Sequence, residues 1–315
     1  MTLPRRIGPL VLVTILATLA IPVDAQAPDR AGATFKSAVE VVTVSAVVRD
    51  RAGRLVPDLT ANDFEVLDNG EHSRIVGFRT EPEPISIALL FDVSGSMESS
   101  IKLPRARDAA HQMLSWLDPW ADEAALFAFD TELRLLRPFG RPTLELTDVI
   151  ATLHPFGATS LRDAIAAAAE RVTEHGRHRR AVVVLTDGVD TASRMTAAEV
   201  SGVASAIDLP VYILATVSPV DHAGEKFAVD GVANAISGEL SNLARWTGGA
   251  FFMASLPSHV SLAVRQIVSE LRQQYLFAVE PGKAPGWHPL EVRTRKKRLT
   301  VRARSGYFAG SEQGR

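Results

Sequence analysis

The chain has 315 residues, a formal net charge of −2 and no cysteine. Apolar residues make up 46% of it and charged residues 22%, which is ordinary for a globular protein and too apolar for a disordered one. The absence of cysteine excludes disulfide bonds, thiolate zinc sites, iron–sulfur clusters and a cysteine nucleophile. A net charge so close to zero argues against a protein that binds nucleic acid.

The first 27 residues have the pattern of a secretory signal peptide. Arg5 and Arg6 precede an apolar stretch over residues 7–21, and the run A-Q-A that ends at Ala27 supplies small residues for cleavage. That stretch is shorter than the roughly 20 apolar residues that a membrane-spanning helix needs. We therefore expect cleavage after Ala27, export to the periplasm or the extracellular space, and no stable membrane span afterwards. An uncleaved anchor is the alternative.

Residues 28–84 are predicted to be β-rich and to end in a linker. Alternating apolar residues over 42–48 indicate a strand with one buried face. Two further strands are predicted at 64–67 and 75–78. The run D-N-G between them favours a hairpin, because asparagine and glycine tolerate positive φ. The segment closes on the run R-T-E-P-E-P, whose two prolines favour extended backbone.

Residues 85–275 alternate between apolar strands and amphipathic helices. The first strand, over 85–91, is nearly all apolar, as expected for a strand that is covered on both faces. Regular alternation of this kind predicts an α/β fold, namely a doubly wound, mostly parallel sheet with helices on both faces. The other predicted strands lie at 124–129, 181–185, 211–215 and 250–253.

Residues 276–315 return to a β pattern, with strands predicted near 275–279, 290–292 and 299–301 and a hairpin near 294–297. The N-terminal and C-terminal β segments are each too small to fold well alone. Because the two ends of a domain often lie close together, we predict that both segments pair into one small β unit beside the α/β domain.

Three loops of the predicted α/β domain carry oxygen donors. Asp92, Ser94 and Ser96 lie in one tight loop where the first strand ends, Thr159 precedes a helix, and Asp187 follows a later buried strand. In an open parallel sheet, ligands bind outside the carboxyl ends of the strands. Carboxylate and hydroxyl oxygens without His or Cys are the donors that hard cations prefer. We therefore expect Mg²⁺ at these five residues, with Mn²⁺ or Ca²⁺ as alternatives. Ser96 is also expected to cap the helix that follows.

The order and spacing of these five residues resemble the metal-ion-dependent adhesion site of von Willebrand factor type A domains. The run L-A-R-W-T-G-G over 243–249 is similar to the late helix-to-strand turn of that family, and the resemblance covers residues 85–275. Outside the domain, L-T-x-x-D-F at 59–64 and R-S-G-Y at 304–307 resemble a group of secreted bacterial proteins that carry this domain.

This resemblance implies a mode of binding rather than a reaction. The hydroxyls of Ser94, Ser96 and Thr159 would coordinate the metal directly, and Asp92 and Asp187 would hold it at least partly through water. Two carboxylates balance the divalent charge, so one coordination position is open to an exposed Asp or Glu of a partner protein. The expected function is an adhesion-type, metal-dependent protein-binding module.

Other polar groups near the predicted elements are interpreted as solvated surface. Asp163 and Asp190 lie close to the motif loops in sequence, and orienting the metal ligands is their alternative role. His175 and His178 are interpreted as part of a solvated loop. The basic run R-T-R-K-K-R that starts at Arg293 is interpreted as a charged hairpin or sheet edge that prevents aggregation, with an anionic surface partner as the alternative.

Enzymatic function has little support in the sequence. It contains no G-x-S-x-G, H-E-x-x-H, G-x-x-x-x-G-K-[ST] or G-x-G-x-x-G motif, and the motif loops hold no histidine that could act as a general base. We therefore expect a protein that is not an enzyme. Hydrolysis by a metal-bound water is one alternative. A structural or assembly protein of the cell envelope, whose site is non-functional or purely structural, is the other. No pattern in the sequence predicts an oligomeric state.

Overall fold

A computed structural model describes residues 41–173, 179–218 and 235–309 of the chain. The predicted signal peptide and the pair His175 and His178 lie outside the described residues. Within the described ranges, no helix combines the length and the apolar character that crossing a membrane requires.

The described segments form the following elements. The helices are α1 (Lys102–Ser115), α2 (Leu144–Ala151), α3 (Leu161–Thr173), α4 (Ala197–Ala206), α5 (Ala235–Trp246) and α6 (Pro257–Arg272). The strands are β1 (Val42–Asp50), β2 (Phe64–Asp68), β3 (Glu71–Ser73), β4 (Ile75–Arg79), β5 (Ile85–Asp92), β6 (Glu123–Phe129), β7 (Leu133–Gly140), β8 (Arg179–Thr186), β9 (Val211–Thr216), β10 (Phe251–Ala254), β11 (Tyr275–Val279), β12 (Gly286–Thr294), β13 (Leu299–Ala303) and β14 (Gly306–Ala309).

The α/β part is built on a six-stranded sheet with the strand order β10, β9, β8, β5, β6, β7. Neighbouring strands are parallel except for β7, which lies antiparallel to β6 at the edge. The predicted doubly wound, mostly parallel sheet is therefore confirmed. The sequence pattern does not predict β7 or α2. Much of β7 is exposed and the strand contains Pro138, which is tolerated at an edge but weakens the strand pattern.

Helices cover both faces of this sheet, as predicted. Ile87 and Leu89 of β5 point to the face that α1, α2 and α6 cover, and Ala88 and Leu90 point to the face that α3, α4 and α5 cover. Successive side chains of a strand point to opposite faces, so a strand buried on both sides must be apolar throughout. This is why the sequence of β5 lacks the alternation of a half-exposed strand.

The two flanking segments form a β-sandwich. Strands β13, β1, β11 and β4 make one four-stranded sheet, and β14, β12, β2 and β3 make the other. Side chains of both sheets share one apolar core, in which the Phe64 ring contacts the rings of Phe78, Tyr275 and Phe277. The predicted β unit from both flanks is confirmed, because β1 pairs with β11 and β13, and β2 pairs with β12.

Two predicted hairpins differ from the observed pairings. Asn69 and Gly70 adopt φ of 51° and 84°, as their turn chemistry predicts, but the turn joins β2 to the short strand β3. The predicted partner, at 75–78, is β4, which crosses to the other sheet and pairs with β11. The turn at 294–297 joins β12 to β13, which also lie in different sheets, so it is not a hairpin. Local turn chemistry predicts a bend, whereas packing decides which strand becomes the partner.

The sandwich contacts the C-terminal ends of three helices, at Ser205 of α4, Trp246 of α5 and Glu270 of α6. The backbone N–H of Ser305 donates to the carbonyl oxygen of Trp246 at 2.8 Å, and the Arg304 guanidinium donates to the carbonyl oxygen of Ser205. In a βαβ unit the helices run opposite to the strands, so helix C-termini lie where the strands begin. The sandwich therefore covers the edge of the sheet opposite the carboxyl ends of its strands.

The turn from α5 to β10 requires glycine at two positions. Gly248 has φ of 87°, and a Cβ on Gly249 would lie 2.0 Å from the carbonyl oxygen of Val211. We expect Gly249→Ala to lower the free energy of unfolding by about 1–3 kcal/mol, measured by urea denaturation. Gly202→Ala is the control, because a Cβ there meets no atom within 4 Å and lies inside α4. Equal changes in the free energy of unfolding for the two substitutions would contradict the requirement for glycine at position 249.

His288 is held between two hydrogen-bond acceptors in the sandwich. Its Nδ1 lies 2.7 Å from Oδ1 of Asp68, and its Nε2 lies 2.6 Å from the carbonyl oxygen of Ala284. Nδ2 of Asn69 also lies 3.0 Å from Nδ1, so both Asp68 and Asn69 face this ring nitrogen. The hydrogen bonds to Ala284 and to Asp68 raise the pKa of His288 above its ordinary value.

A raised folded-state pKa makes the contribution of His288 to stability dependent on pH. The contribution is complete below the ordinary pKa of about 6.5 and is lost as pH rises through the higher folded-state value. We expect the difference in Tm between wild type and His288→Gln to be largest near pH 5.5 and to shrink near about pH 8.5, by scanning calorimetry. His72→Gln, on an exposed residue of β3, is the control. A difference in Tm that stays constant over this pH range would contradict a raised pKa of His288.

Candidate metal centre

Two of the predicted loops follow β5 and β8, which are adjacent parallel strands at the centre of the sheet. From β5 the chain continues to β6 on one side, and from β8 it continues to β9 on the other. A reversal of this kind leaves a crevice at the carboxyl ends of the two strands, where ligands bind. Asp92 is the last residue of β5, and Asp187 follows Thr186, the last residue of β8. The topology therefore places both carboxylates at the crevice.

Asp92 is fully buried at the base of the crevice. Its Oδ1 accepts a hydrogen bond from the backbone N–H of Ser94 at 2.8 Å, and its Oδ2 accepts one from the hydroxyl of Thr186 at 2.5 Å. Burial raises the pKa of Asp92 to about 6. The hydrogen bonds from Ser94 and Thr186 lower this pKa, and the negative charge of nearby Asp187 raises it further. A cation between the two carboxylates would stabilise both charges.

Ser94 and Ser96 turn their hydroxyls toward each other, with 3.1 Å between the two Oγ atoms. A short turn over Gly95–Met97 follows Ser94 directly, and Met97 is buried in the core and anchors the loop. Helix α1 begins only at Lys102, and its N-cap residue is Ile101. The expectation that Ser96 caps this helix is therefore wrong, because the intervening turn separates the two.

Thr159 lies in a loop that is bonded to the first loop through the backbone. The N–H of Gly95 donates to the carbonyl oxygen of Gly157 at 2.9 Å. Thr159 itself is buried, and its backbone N–H donates to the hydroxyl of Thr191 at 3.0 Å while its carbonyl oxygen accepts from the N–H of Thr191 at 2.9 Å. These bonds fix Thr159 at the same edge of the sheet as the other predicted ligands.

Lys102 is a site residue that the sequence analysis misses. Its Nζ donates to Oδ2 of Asp187 at 2.8 Å and to the backbone carbonyl oxygen of Ser96 at 3.2 Å. It thereby joins the first motif loop to the third. A lysine at the first position of a helix opposes the helix dipole, and that unfavourable placement is the signal that could have pointed to it.

Thr186 is the second residue that the sequence analysis misses. Its hydroxyl donates to Asp92 and accepts the N–H of Gly188 at 3.0 Å, so it orients the Asp92 carboxylate and closes the turn after β8. The signal for it is a polar residue at the end of an otherwise apolar buried strand.

Asp163 and Asp190 are hydrogen-bonded to the loop beside Thr159, so their interpretation as solvated surface is wrong. Asp163 accepts from the N–H groups of Arg194 and Met195, between 2.9 and 3.1 Å. Asp190 accepts from the N–H groups of Arg162 and Ser193, both at 3.0 Å. The two carboxylates hold the loop that carries Thr191, the residue that fixes Thr159.

The donor set fits a hard divalent cation. Two carboxylates and three hydroxyls provide oxygen ligands alone, and the single ammonium of Lys102 balances only one of the two negative charges. Across the described residues, no three His, Cys, Asp or Glu side chains form a metal-binding group. The predicted ligand set differs from such a group, because it contains only two carboxylates and its other three donors are hydroxyls.

Residues 87–189 match the family model of the von Willebrand factor type A domain, a range that includes all five predicted ligands. No curated protein matches the chain. Among solved structures, BatB from Bacteroides thetaiotaomicron is 17% identical, with 59% of this chain and 98% of that chain covered and a TM-score of 0.47. A von Willebrand factor type A protein from Catenulispora acidiphila is 13% identical over 85% of this chain and 73% of that chain, with a TM-score of 0.49. Proximal thread matrix protein 1 from the mussel byssus, solved with a zinc-occupied MIDAS motif, is 15% identical over 71% of this chain and 50% of that chain, with a TM-score of 0.48.

Proposed function

Residues 87–189 of this chain belong to a von Willebrand factor type A domain, and from that premise we propose that the protein is an exported, metal-dependent module that binds an acidic side chain of a partner protein. The observation that carries the proposal is the meeting of the loops of Asp92 and Asp187 at one crevice, with the hydroxyls of Ser94 and Ser96 beside them.

Each predicted ligand has a role in this proposal. Ser94, Ser96 and Thr159 would coordinate the ion through their hydroxyls, and Asp92 and Asp187 would balance its charge, in part through water. When bound, the ion would supply positive charge and a coordination position that a carboxylate of the partner can fill. Mg²⁺ is the proposed ion because every donor is a hard oxygen, and Mn²⁺ and Ca²⁺ share that preference.

The position of the site supports a binding role. The β-sandwich contacts the opposite edge of the sheet, through Ser205, Trp246 and Glu270, so it does not cover the carboxyl ends of β5 and β8. Export is proposed from the signal-peptide pattern at the N-terminus, and the absence of cysteine is compatible with folding there without oxidation.

We propose binding rather than catalysis, because the motif loops hold no histidine that could act as a general base and the sequence contains no G-x-S-x-G or H-E-x-x-H motif. Asp92 accepts hydrogen bonds from Ser94 and Thr186, and Asp187 accepts one from Lys102, so both carboxylates help to hold the site together.

A structural role in envelope assembly is the second candidate. The observation that favours it is the ion pair between Lys102 and Asp187, which gives the crevice a cation of its own. In that case the site would hold the loops together without any ligand.

Metal-dependent capture distinguishes the two candidates. Immobilised protein is incubated with envelope extract in Mg²⁺ or in EDTA, and bound protein is quantified. We expect retention of a specific partner in Mg²⁺ and a fall of about tenfold or more in EDTA or with Ser94→Ala, because each removes the ion or a direct ligand. Ser115→Ala, at the exposed end of α1, is the matched control. Retention that EDTA and Ser94→Ala leave unchanged would refute the binding role of the site.

A further inference from the structure

Lys102 places a positive charge inside the proposed metal site. The ammonium group donates to Oδ2 of Asp187 at 2.8 Å and to the carbonyl oxygen of Ser96 at 3.2 Å. Its side chain is 22% exposed, whereas the Asp187 side chain is 1% exposed. The lysine therefore lies at the mouth of the crevice, and Asp187 behind it is shielded from solvent.

The backbone of Lys102 is held by a hydrogen bond, whereas the position of its ammonium group depends on contacts within the site. The carbonyl oxygen of Lys102 accepts from the hydroxyl of Thr216 at 3.3 Å, and the same hydroxyl lies 3.2 Å from the carbonyl oxygen of Thr186. These contacts tie the start of α1 to the ends of β8 and β9. The lysine stem has four carbons and is intrinsically flexible, and the ammonium opposes the dipole of α1, so the position of the ammonium depends on its bonds to Asp187 and Ser96.

We propose that Lys102 is a built-in competitor of the divalent cation, an inference that rests on the proposed function. In the metal-free state its ammonium is the counter-ion of Asp187. A divalent cation and an ammonium repel each other strongly when both lie against one carboxylate, so metal binding displaces Nζ from Oδ2 of Asp187. The lysine thereby keeps the metal-free crevice balanced in charge and lowers its affinity for the metal.

Lys102→Met tests this directly, because methionine keeps an unbranched stem and removes the charge. Mn²⁺ is titrated into wild type and variant by isothermal calorimetry. We expect the Kd of the variant for Mn²⁺ to be lower by about tenfold or more. Lys283→Met, which removes the same charge from an exposed loop outside the site, is expected to bind as wild type does.

Thermal stability gives a second readout that does not depend on binding a partner. In EDTA, Lys102→Met is expected to have a lower Tm than wild type, because Asp187 has lost its counter-ion. In saturating Mn²⁺ the difference in Tm is expected to close or reverse, because a ligand that binds the folded state more tightly stabilises it more at the same concentration. Should Lys102→Met not fold in EDTA, Lys102→Gln retains a donor to Asp187 without the charge and carries the same expectation.

Four outcomes separate this inference from the proposed function. Wild type that binds Mn²⁺ as tightly as Lys102→Met, or more tightly, overturns the inference and leaves the proposed function standing. An equal gain in Lys283→Met also overturns it, because the effect would then be one of net charge. Binding in Lys102→Met alone supports the inference and refutes metal-dependent binding by the native protein. The absence of binding in both refutes both.

Discussion

Asp187→Ala is expected to weaken binding of Mg²⁺ or Mn²⁺ by more than about a hundredfold. Loss of residues that only orient metal ligands already costs about 10- to 100-fold in affinity, and Asp187 would itself balance half of the ionic charge. The substitution leaves Asp92 as the remaining carboxylate of the site, buried and with its Oδ2 committed to Thr186. A single carboxylate does not neutralise a divalent ion.

Isothermal calorimetry and the shift of Tm on adding metal measure this effect. Asp108→Ala is the matched control, since it removes a carboxylate from an exposed position on α1. We expect wild type and Asp108→Ala to gain Tm with metal and Asp187→Ala to gain none. Equal metal binding by wild type and Asp187→Ala would show that the crevice is not the metal site.

Glu270→Ala is expected to lower the free energy of unfolding by about 3–5 kcal/mol, because it breaks a buried charge cluster and removes the carboxylate that two arginines share. Glu270 of α6 is fully buried and pairs with Arg49 of β1 and with Arg302 of β13. Gln266 also donates to its Oε1 at 3.2 Å. The cluster therefore joins the α/β part to the β-sandwich, and its loss weakens that junction.

The charges around Glu270 also predict how its contribution depends on pH. Burial acts to raise its pKa, but the positive charges of Arg302 and Arg49 and the hydrogen bonds outweigh burial and hold the pKa below its ordinary value. A lowered carboxyl pKa stabilises the folded state above the ordinary value of about 4.3 and loses that contribution as pH falls through the folded-state value.

Urea denaturation of two glutamate variants checks this prediction. Glu291→Ala is the control, because Glu291 also pairs with an arginine, Arg293, but both side chains are more than half exposed, at 56% and 52%. An exposed pair of this kind contributes no more than about 1 kcal/mol. If the two variants lose similar free energy, the buried cluster does not hold the two parts together. Replacing Glu270, Arg49 and Arg302 together by methionine is expected to restore much of the loss, since no buried charge is then left unpaired.

The sequence predicted the α/β part well because its signals are local. An apolar run such as that of β5 is typical of a strand covered on both faces, and Gly248 adopts the positive φ that its turn requires. The juxtaposition of the Asp92 and Asp187 loops also followed from the sequence, since the carboxyl ends of parallel strands share one edge of the sheet.

Interactions between residues that are distant in sequence decided how the strands of the β-sandwich pair. The strand at 75–79 pairs with β11 and not with its neighbour across the turn, because its side chains pack in the sandwich core with Tyr275 and Phe277. No local pattern marks such a pairing, since the partner lies far along the chain.

The amino-acid sequence by itself indicated most strands and helices and the loops of Asp92 and Asp187 that meet at the crevice, because periodicity and turn chemistry act over a few neighbouring residues, whereas β7 and α2 carry no such pattern. The tertiary structure alone decided that Lys102 meets Asp187 and that Glu270 meets Arg49 and Arg302. Those charges lie far apart along the chain, and only the packing of α1 and α6 against their neighbours brings them within bonding distance.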